Sequence, residues 1–230
     1  MKLTRLFTAM LSGGLKGHFG QYAEDVAVRK YFPHNTSSGR YLDLGAYHPF
    51  EHSNTAFFWL RGWSGINLDA NPRTIELFNR VRKNDINLWS AVVPESIISQ
   101  GLTEVTLELP GQTDGAVKVQ QTGRISWSSG SVDKLKHVTV PVISVGQILR
   151  QHSVRDLDFL NIDVEGFDEQ IIEDFDFDFC SPKMICIEDF SESFEELVKS
   201  KITCILQGAN YKLIARVGYS SVFSLGGKSY

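Results

Sequence analysis

The stretch 41-YLDLGAYHP-49 decides how this chain is read. Tyr41, Leu42 and Leu44 make a short apolar run suited to a buried strand, and Gly45 follows it. A strand that ends in glycine and opens toward a helix leaves unpaired backbone N–H groups at the mouth of a sheet, where a cofactor can sit. The nucleotide fingerprint G-x-G-x-x-G is not met, because Ala46, Tyr47 and His48 follow Gly45.

Working outward toward the carboxyl end, Ser53-Asn54 offers a cap for a helix over AFFWLR, which Gly62 can close. GINLDANP reads as a second strand with Asp69 at its carboxyl end, then a capping Asn71 and Pro72 at the first helical position. Asp69 falls 24 residues after Gly45. A carboxylate about 20 residues past such a turn can accept hydrogen bonds from both hydroxyls of a ribose. The helix RTIELFNRVRK presents Ile75, Phe78 and Val81 on one face, and INLWSAVV reads as a third strand.

From about residue 95 to 142 the pattern changes to strict alternation. TEVTLEL puts Val105, Leu107 and Leu109 on one side, VTVPVI alternates too, and turn-rich GQTDG and SWSSGS lie between them. This reads as an inserted β excursion, too short and polar for a core of its own. Ser144-x-x-Gln147 fits a capping box, and LDFLNIDVEG then reads as a buried fourth core strand. KMICIE is a further strand, and Ser193-x-x-Glu196 opens a long helix stopped by Gly208. YKLIARV and SSVFSL around Gly218-Tyr219 make a closing hairpin. Such alternation predicts a mostly parallel sheet covered by helices, with ligands at the carboxyl ends of the strands.

Toward the amino end, GQYAEDVAVRKYF carries a helical apolar stripe, and residues 1–19 are glycine-punctuated and read as loose. The expected organisation is that loose segment and one domain over 20–230. The chain has 230 residues, 42% of them hydrophobic, enough for one core without disulfides or a structural metal. A net charge of −4 argues against a broad grip on nucleic acid. Cys180, Cys186 and Cys204 show no CxxC spacing and read as buried free thiols of a reducing compartment. The start MKLTRLFTAMLSGGLKG lacks the apolar length and cleavage site of a secretion signal, and no run spans a membrane. The expected location is cytoplasmic.

Several residues carry candidate chemistry. Asp43 can anchor the turn or an ammonium group. Asp163 and Glu165 flank Val164 at the end of the fourth core strand, where a carboxylate can orient a hydroxyl, accept its proton or hold a divalent metal. His48 and His52 follow the glycine turn, and a histidine beside a cofactor can act as general base near neutral pH. No HxxxH or HxH spacing supports a metal. In EDFDFDF the phenylalanines are expected to pack and the acids to face water. Trp63 and Trp89 are expected in the core, and Trp127, in a Ser/Gly loop, is the tryptophan suited to substrate stacking.

The pieces GQYAEDV, YLDLGAYHPFEHSNT, RGWSGINLDANP, INLWSAVV, SVGQIL, LNIDVEGFD and MICIEDF run in order across about residues 20–190. Their combination resembles the FkbM family of S-adenosylmethionine-dependent methyltransferases. The resemblance implies an α/β, Rossmann-like class I methyltransferase fold with a mostly parallel seven-stranded sheet, its last strand antiparallel. It implies that Asp43, Gly45 and Ala46 border the methionine part of the cofactor, with Tyr47 and Asn54 in the same loop. Asp69 and Ala70 would hold the ribose, and Ser90 or Ala91 would lie near the adenine. Gln21 and Asp25 match the family's N-terminal pair and would close over the cofactor. Asp163 and Glu165 would face the reaction centre. Members methylate hydroxyl oxygens of sugars or secondary metabolites, so the implied acceptor is a small molecule or glycan.

On this reading Asp163 is the base or orienter, His48 is the runner-up, and Tyr47 and His48 project toward the cofactor's reactive end. A nicotinamide-dependent oxidoreductase is a second reading, weakened by the missing glycines and the closing hairpin. A non-catalytic S-adenosylmethionine-binding module is a third, weakened by the intact Asp69 and IDVEG. The segment 110–132 fits no pattern and leaves the acceptor open.

Overall fold

The computed structural model describes residues 17–33, 36–109, 118–120, 124–126, 136–164 and 166–226. The elements in chain order are α1 (Glu24–Arg29), β1 (Arg40–Leu44), α2 (Ala56–Leu60), β2 (Ser64–Asp69), α3 (Pro72–Val81), β3 (Ile86–Trp89) and β4 (Ala91–Val92). There follow α4 (Glu95–Ile98), β5 (Glu104–Leu109), β6 (Lys118–Gln120), β7 (Arg124–Ser126), β8 (Lys136–Ile143), α5 (Val145–Gln151) and β9 (Phe159–Ile162). The last are α6 (Asp168–Glu173), β10 (Met184–Glu188), α7 (Phe194–Leu197), α8 (Lys201–Gly208), β11 (Tyr211–Val217) and β12 (Ser220–Leu225).

Seven strands form one sheet in the order β11-β12-β10-β9-β1-β2-β3. β1, β2, β3, β9 and β10 pair in parallel, and β12 runs antiparallel to both β10 and β11. The chain leaves β1 toward β3 and returns to β1's other side as β9. The order therefore reverses at β1 and β9, the switch point beyond whose carboxyl ends such sheets place a ligand crevice. This is the Rossmann-like methyltransferase topology.

Alternation within each strand divides the core. Leu42, Leu44, Leu68, Leu160 and Ile162 pack with Ile148 of α5, Ile172 of α6 and Leu206 of α8. Tyr41, Phe159, Met184 and Cys186 face the other way, against Val28 of α1 and Phe58 of α2. α3 covers that second face through Phe78 and Arg82.

One register row on the second face is polar from strand to strand. Asp43 pairs with Asn67 and Asn67 with Asn87 on one side, and Asp43 pairs with Asn161 and Asn161 with Cys186 on the other. Central parallel strands are ordinarily apolar throughout. This row therefore marks a constraint beyond packing.

The helix caps follow the sequence closely. Asn71 accepts from Arg73 N–H at 3.0 Å, with Pro72 at the first position of α3. Ser144 and Gln147 make a full capping box. The tail is a hairpin whose two-residue turn, Gly218-Tyr219, has φ of +57° at the glycine.

Other expectations need correction. INLWSAVV breaks at Ser90: β3 stays in the large sheet, and β4 joins a small mixed sheet of order β4-β8-β5-β7-β6. That sheet does bury its own cluster of Ala91, Val105, Leu107 and Val140. The helix after Ser193 divides into α7 and α8, because Ser200 caps a second start by accepting from Thr203 N–H at 3.1 Å. Ser193 caps α7, but Glu196 reaches back to Glu192 N–H instead of completing the box. Cys204 is exposed, while Cys180 and Cys186 are buried. Trp63 is core, but Trp89 is 39% exposed. Trp127 and most of 110–132 lie outside the described residues.

Candidate active site

Gly45 makes the closest approach in the site. Its φ is +77°, and a Cβ there would lie 1.8 Å from the Asp163 carbonyl oxygen. Only a glycine lets the loop after β1 rest against the end of β9. The turn's N–H groups are not left open, contrary to the expectation from sequence. Gly45 and Ala46 both donate to Leu68 O, at 3.0 and 2.9 Å, and Tyr47 donates to Asp69 Oδ2 at 2.9 Å. The loop is thereby pinned to β2, and these three N–H groups are spent within the fold.

Asp69 ends β2 half-buried, with Oδ1 accepting from Asn71 N–H at 2.7 Å. Burial pushes its carboxyl up to about 6; the two backbone N–H bonds offset part of that, and Asp43 adds to it. A carboxylate has about four acceptor positions, so two remain for a ligand. Ser90 N–H donates to Asp69 O at 3.2 Å, which sets Ser90 beside it. The Trp89 indole donates to Ala70 O at 2.9 Å and leaves its ring partly open to solvent. Ala91, in contrast, turns into the small sheet's core.

Asp43 is fully buried. Its Oδ2 accepts from Thr55 Oγ1 at 2.6 Å and its Oδ1 from Asn161 Nδ2 at 2.9 Å. Asn161 Oδ1 in turn accepts from Asn54 Nδ2 at 3.0 Å. Burial raises the Asp43 carboxyl above the usual carboxylate range, against the Thr55 bond and the nearby Arg82. Asp43 is thus an anchor for the loop and does not open onto a ligand. Ser53, and not Asn54, serves the start of α2, accepting from Ala56 N–H at 3.2 Å.

The largest residue missed in the sequence is Arg82, with 0% of its surface exposed. It forks to Thr55 Oγ1 at 2.8 Å, Ser53 Oγ at 3.0 Å and Pro49 O at 2.5 Å, and reaches Asn67 Oδ1 at 3.3 Å. Phe78 lies under the guanidinium at 4.9 Å. Extending the α3 face from Ile75 and Phe78 by one more helical step lands on Arg82, not on Val81, which is only half-buried. A cation on an apolar stripe was the signal.

Asp163 is half-buried directly after β9, with its N–H on Leu44 O at 3.0 Å. The following loop is gathered by Asp168, which accepts from Val164 N–H and Gly166 N–H, both at 3.1 Å. Glu165 lies outside the described residues.

His48 Nδ1 accepts from Phe50 N–H at 3.1 Å and Glu51 N–H at 2.9 Å. Those bonds use the ring's lone pair, so a neutral His48 carries its proton on Nε2. Tyr47 and His52, both with positive φ, stack at 5.7 Å. Gln21 is exposed, whereas Asp25 is buried and accepts from Phe19 and Gly20 N–H at 3.4 and 3.3 Å. Asp25 therefore braces the segment ahead of α1 and is closed to a cofactor. Among the described residues no three His, Cys, Asp or Glu side chains group into a metal site, and no helix is long and apolar enough to cross a membrane.

No curated protein matches this chain. The model of the methyltransferase FkbM domain matches residues 43–213, from Asp43 of the polar row to Leu213 in β11. That span is more than half of the chain and holds Gly45, Asp69 and Asp163 together, so the chain belongs to the FkbM methyltransferase family.

Proposed function

We propose that the protein is an S-adenosylmethionine-dependent O-methyltransferase acting on a hydroxyl of a sugar, glycan or secondary metabolite. The observation that carries this reading is the Asp69 carboxylate, fixed at the carboxyl end of β2 beside the β1–β9 crevice with two acceptor positions to spare. These residues fit the cofactor: Asp69 for the ribose hydroxyls, the open Trp89 face and Ser90 for the adenine, and the Gly45–Tyr47 loop for the methionine end. When bound, S-adenosylmethionine supplies the methyl group from an electrophilic sulfonium.

The protein's share is alignment and proton removal. Asp163 stands at the crevice on a loop fixed by Asp168, with a carboxylate suited to accept the acceptor hydroxyl's proton. His48 is less suited, since its lone pair holds Phe50 and Glu51 N–H. We further propose that residues 20–230 act as one domain and that the protein works in the cytoplasm. The free thiols Cys180, Cys186 and Cys204 suit a reducing compartment.

Calorimetry with S-adenosylmethionine and with NAD tests the class: binding of the first alone is expected, and binding of NAD alone refutes the proposal. Asp163→Asn is expected to lower turnover about 100-fold while cofactor affinity stays within about twofold. Intact turnover would remove Asp163 from the proton path.

Cofactor affinity is expected to fall as pH drops through about 6, where Asp69 gains a proton and loses an acceptor position. Asp69→Asn should bind weakly and show no such step between pH 5 and 7, in roughly the window of that shift. The free protein's stability moves the other way. With its pKa raised from 3.8 to about 6 on folding, Asp69 contributes fully below 3.8 and loses that contribution as pH rises through 6.

A further inference from the structure

Three exposed aromatic rings from distant parts of the chain meet at the carboxyl edge of the sheet. Tyr22, Phe190 and Tyr219 are 46, 58 and 55% exposed. The Tyr22 and Tyr219 rings lie 6.2 Å apart edge to face, and Phe190 and Tyr219 lie 5.9 Å apart. We propose that these rings form the floor on which the methyl acceptor stacks, and that this acceptor is a neutral glycoside of more than one sugar ring. The proposal rests on the methyltransferase reading above.

Rings left to solvent seldom receive much support, yet these do. Asp189 is buried and gathers its loop by accepting from Ser191 N–H at 2.9 Å and Ser200 Oγ at 2.8 Å. Its own N–H donates to Tyr219 O at 2.8 Å. Arg216 donates to Gly218 O at 2.8 Å and Ser191 O at 3.2 Å, tying the turn that carries Tyr219 to the loop that carries Phe190. At Gly218 a Cβ would come within 2.3 Å of the Tyr22 ring, so the turn's glycine also makes room for Tyr22. A buried acid, a guanidinium and a glycine thus fix three solvent-facing rings, as a binding surface requires.

Position ties the floor to the reaction. β9, β10 and β12 are neighbours in the sheet. Asp163 follows β9, Phe190 follows β10 and Tyr219 precedes the antiparallel β12, so all three open at one edge. At about 4.8 Å per strand, Tyr219 stands roughly 10 Å across the sheet from Asp163. That offset leaves the ring on the floor to be linked to the methylated ring by a second sugar. Tyr22 also donates its N–H to Glu24 at 2.9 Å.

The chemistry selects the class of acceptor. The floor is built from uncharged rings, and the Arg216 guanidinium beside it is spent on Gly218, Ser191 and Ser221 and paired with the buried Asp189. A phosphorylated or carboxylated acceptor would give up hydration against these rings while the guanidinium beside them is already paired. A pyranose offers a flat face of C–H groups to an aromatic ring and hydroxyls at its edge to carboxylates.

Saturation-transfer NMR with neutral disaccharides (maltose, cellobiose and lactose) and a neutral glycan array test this. Binding of at least one saccharide is expected. Tyr219→Ala and Phe190→Ala should each weaken it about tenfold, and Tyr219→Phe should retain it. S-adenosylhomocysteine affinity, read by calorimetry in each variant, should stay within about twofold and reports that the fold is intact. No binding of any neutral saccharide overturns the proposal. So does binding that survives both alanine substitutions, or preferential binding of planar phenols, choline or anionic vesicles. Saccharide binding lost in the alanine variants while S-adenosylhomocysteine fails to bind wild-type protein would refute the cofactor reading and uphold the floor.

Discussion

Arg82→Met is expected to lower unfolding free energy by about 3–5 kcal/mol, a large share of the roughly 5–15 kcal/mol that holds a domain together. The substitution removes a cation but leaves its partners behind. Thr55, Ser53, Asn67 and the Pro49 carbonyl all lose a donor in a dry environment. Asp43 stays buried with less positive charge nearby, and its carboxyl is driven still higher. A folded-state pKa raised in this way makes the contribution full at low pH and lost as pH rises. The deficit of Arg82→Met should therefore be largest near neutrality and shrink toward pH 4, just about the ordinary aspartate value. Arg82→Lys keeps the charge without the fork and should fall between the two. Urea unfolding at several pH values reads all three proteins. A wild-type midpoint for Arg82→Met would mean that the polar row stands without its cation.

Gly45→Ala is expected to abolish measurable cofactor binding. The added methyl would sit 1.8 Å from Asp163 O and 2.8 Å from its carbonyl carbon, in a backbone conformation that costs an L-residue about 1–2 kcal/mol. Neither side can yield cheaply. The loop after β1 is bonded to Leu68 and Asp69, and the end of β9 is bonded to Leu44. Displacement by about 1 Å is enough to lose roughly 100-fold in a positioned site. Gly101→Ala is the matched control: its φ is +95°, nothing lies within 4 Å, and only a small loss of stability should follow. Calorimetry and thermal melts on the pair separate strain from crowding. Wild-type affinity in Gly45→Ala would detach this loop from the cofactor.

The sheet and the strand-end acids were legible because periodicity, caps and turn residues are local signals. Asp69 is singled out by its distance from Gly45, and α3 and α5 are marked by Asn71 and Ser144. What escaped was set by tertiary contact. His48 has the position of a base, and only the fold shows two backbone N–H groups donating to its Nδ1. Asp25 matches a pair expected to close over the cofactor, but only the fold shows its carboxylate accepting from Phe19 and Gly20 N–H. INLWSAVV read as one strand because alternation does not announce a change of sheet at Ser90. Asn67, Asn87 and Asn161 did leave a mark, one amide in the middle of each apolar strand, but its meaning required the register that lines them up with Asp43.

The position of β9 beside β1 has a consequence for synthesis. Asp43 and its partner Asn161 are 118 residues apart. At roughly 5–20 residues per second, the ribosome needs about 6–24 s to deliver one after the other. During that interval β1 pairs on one edge only, and its other edge is open to any strand it meets. The nascent chain's aggregation risk is therefore concentrated at the centre of the future sheet, not at its rim. β9 ends the risk when it inserts, and the same event brings Asp163 to Gly45 and completes the crevice.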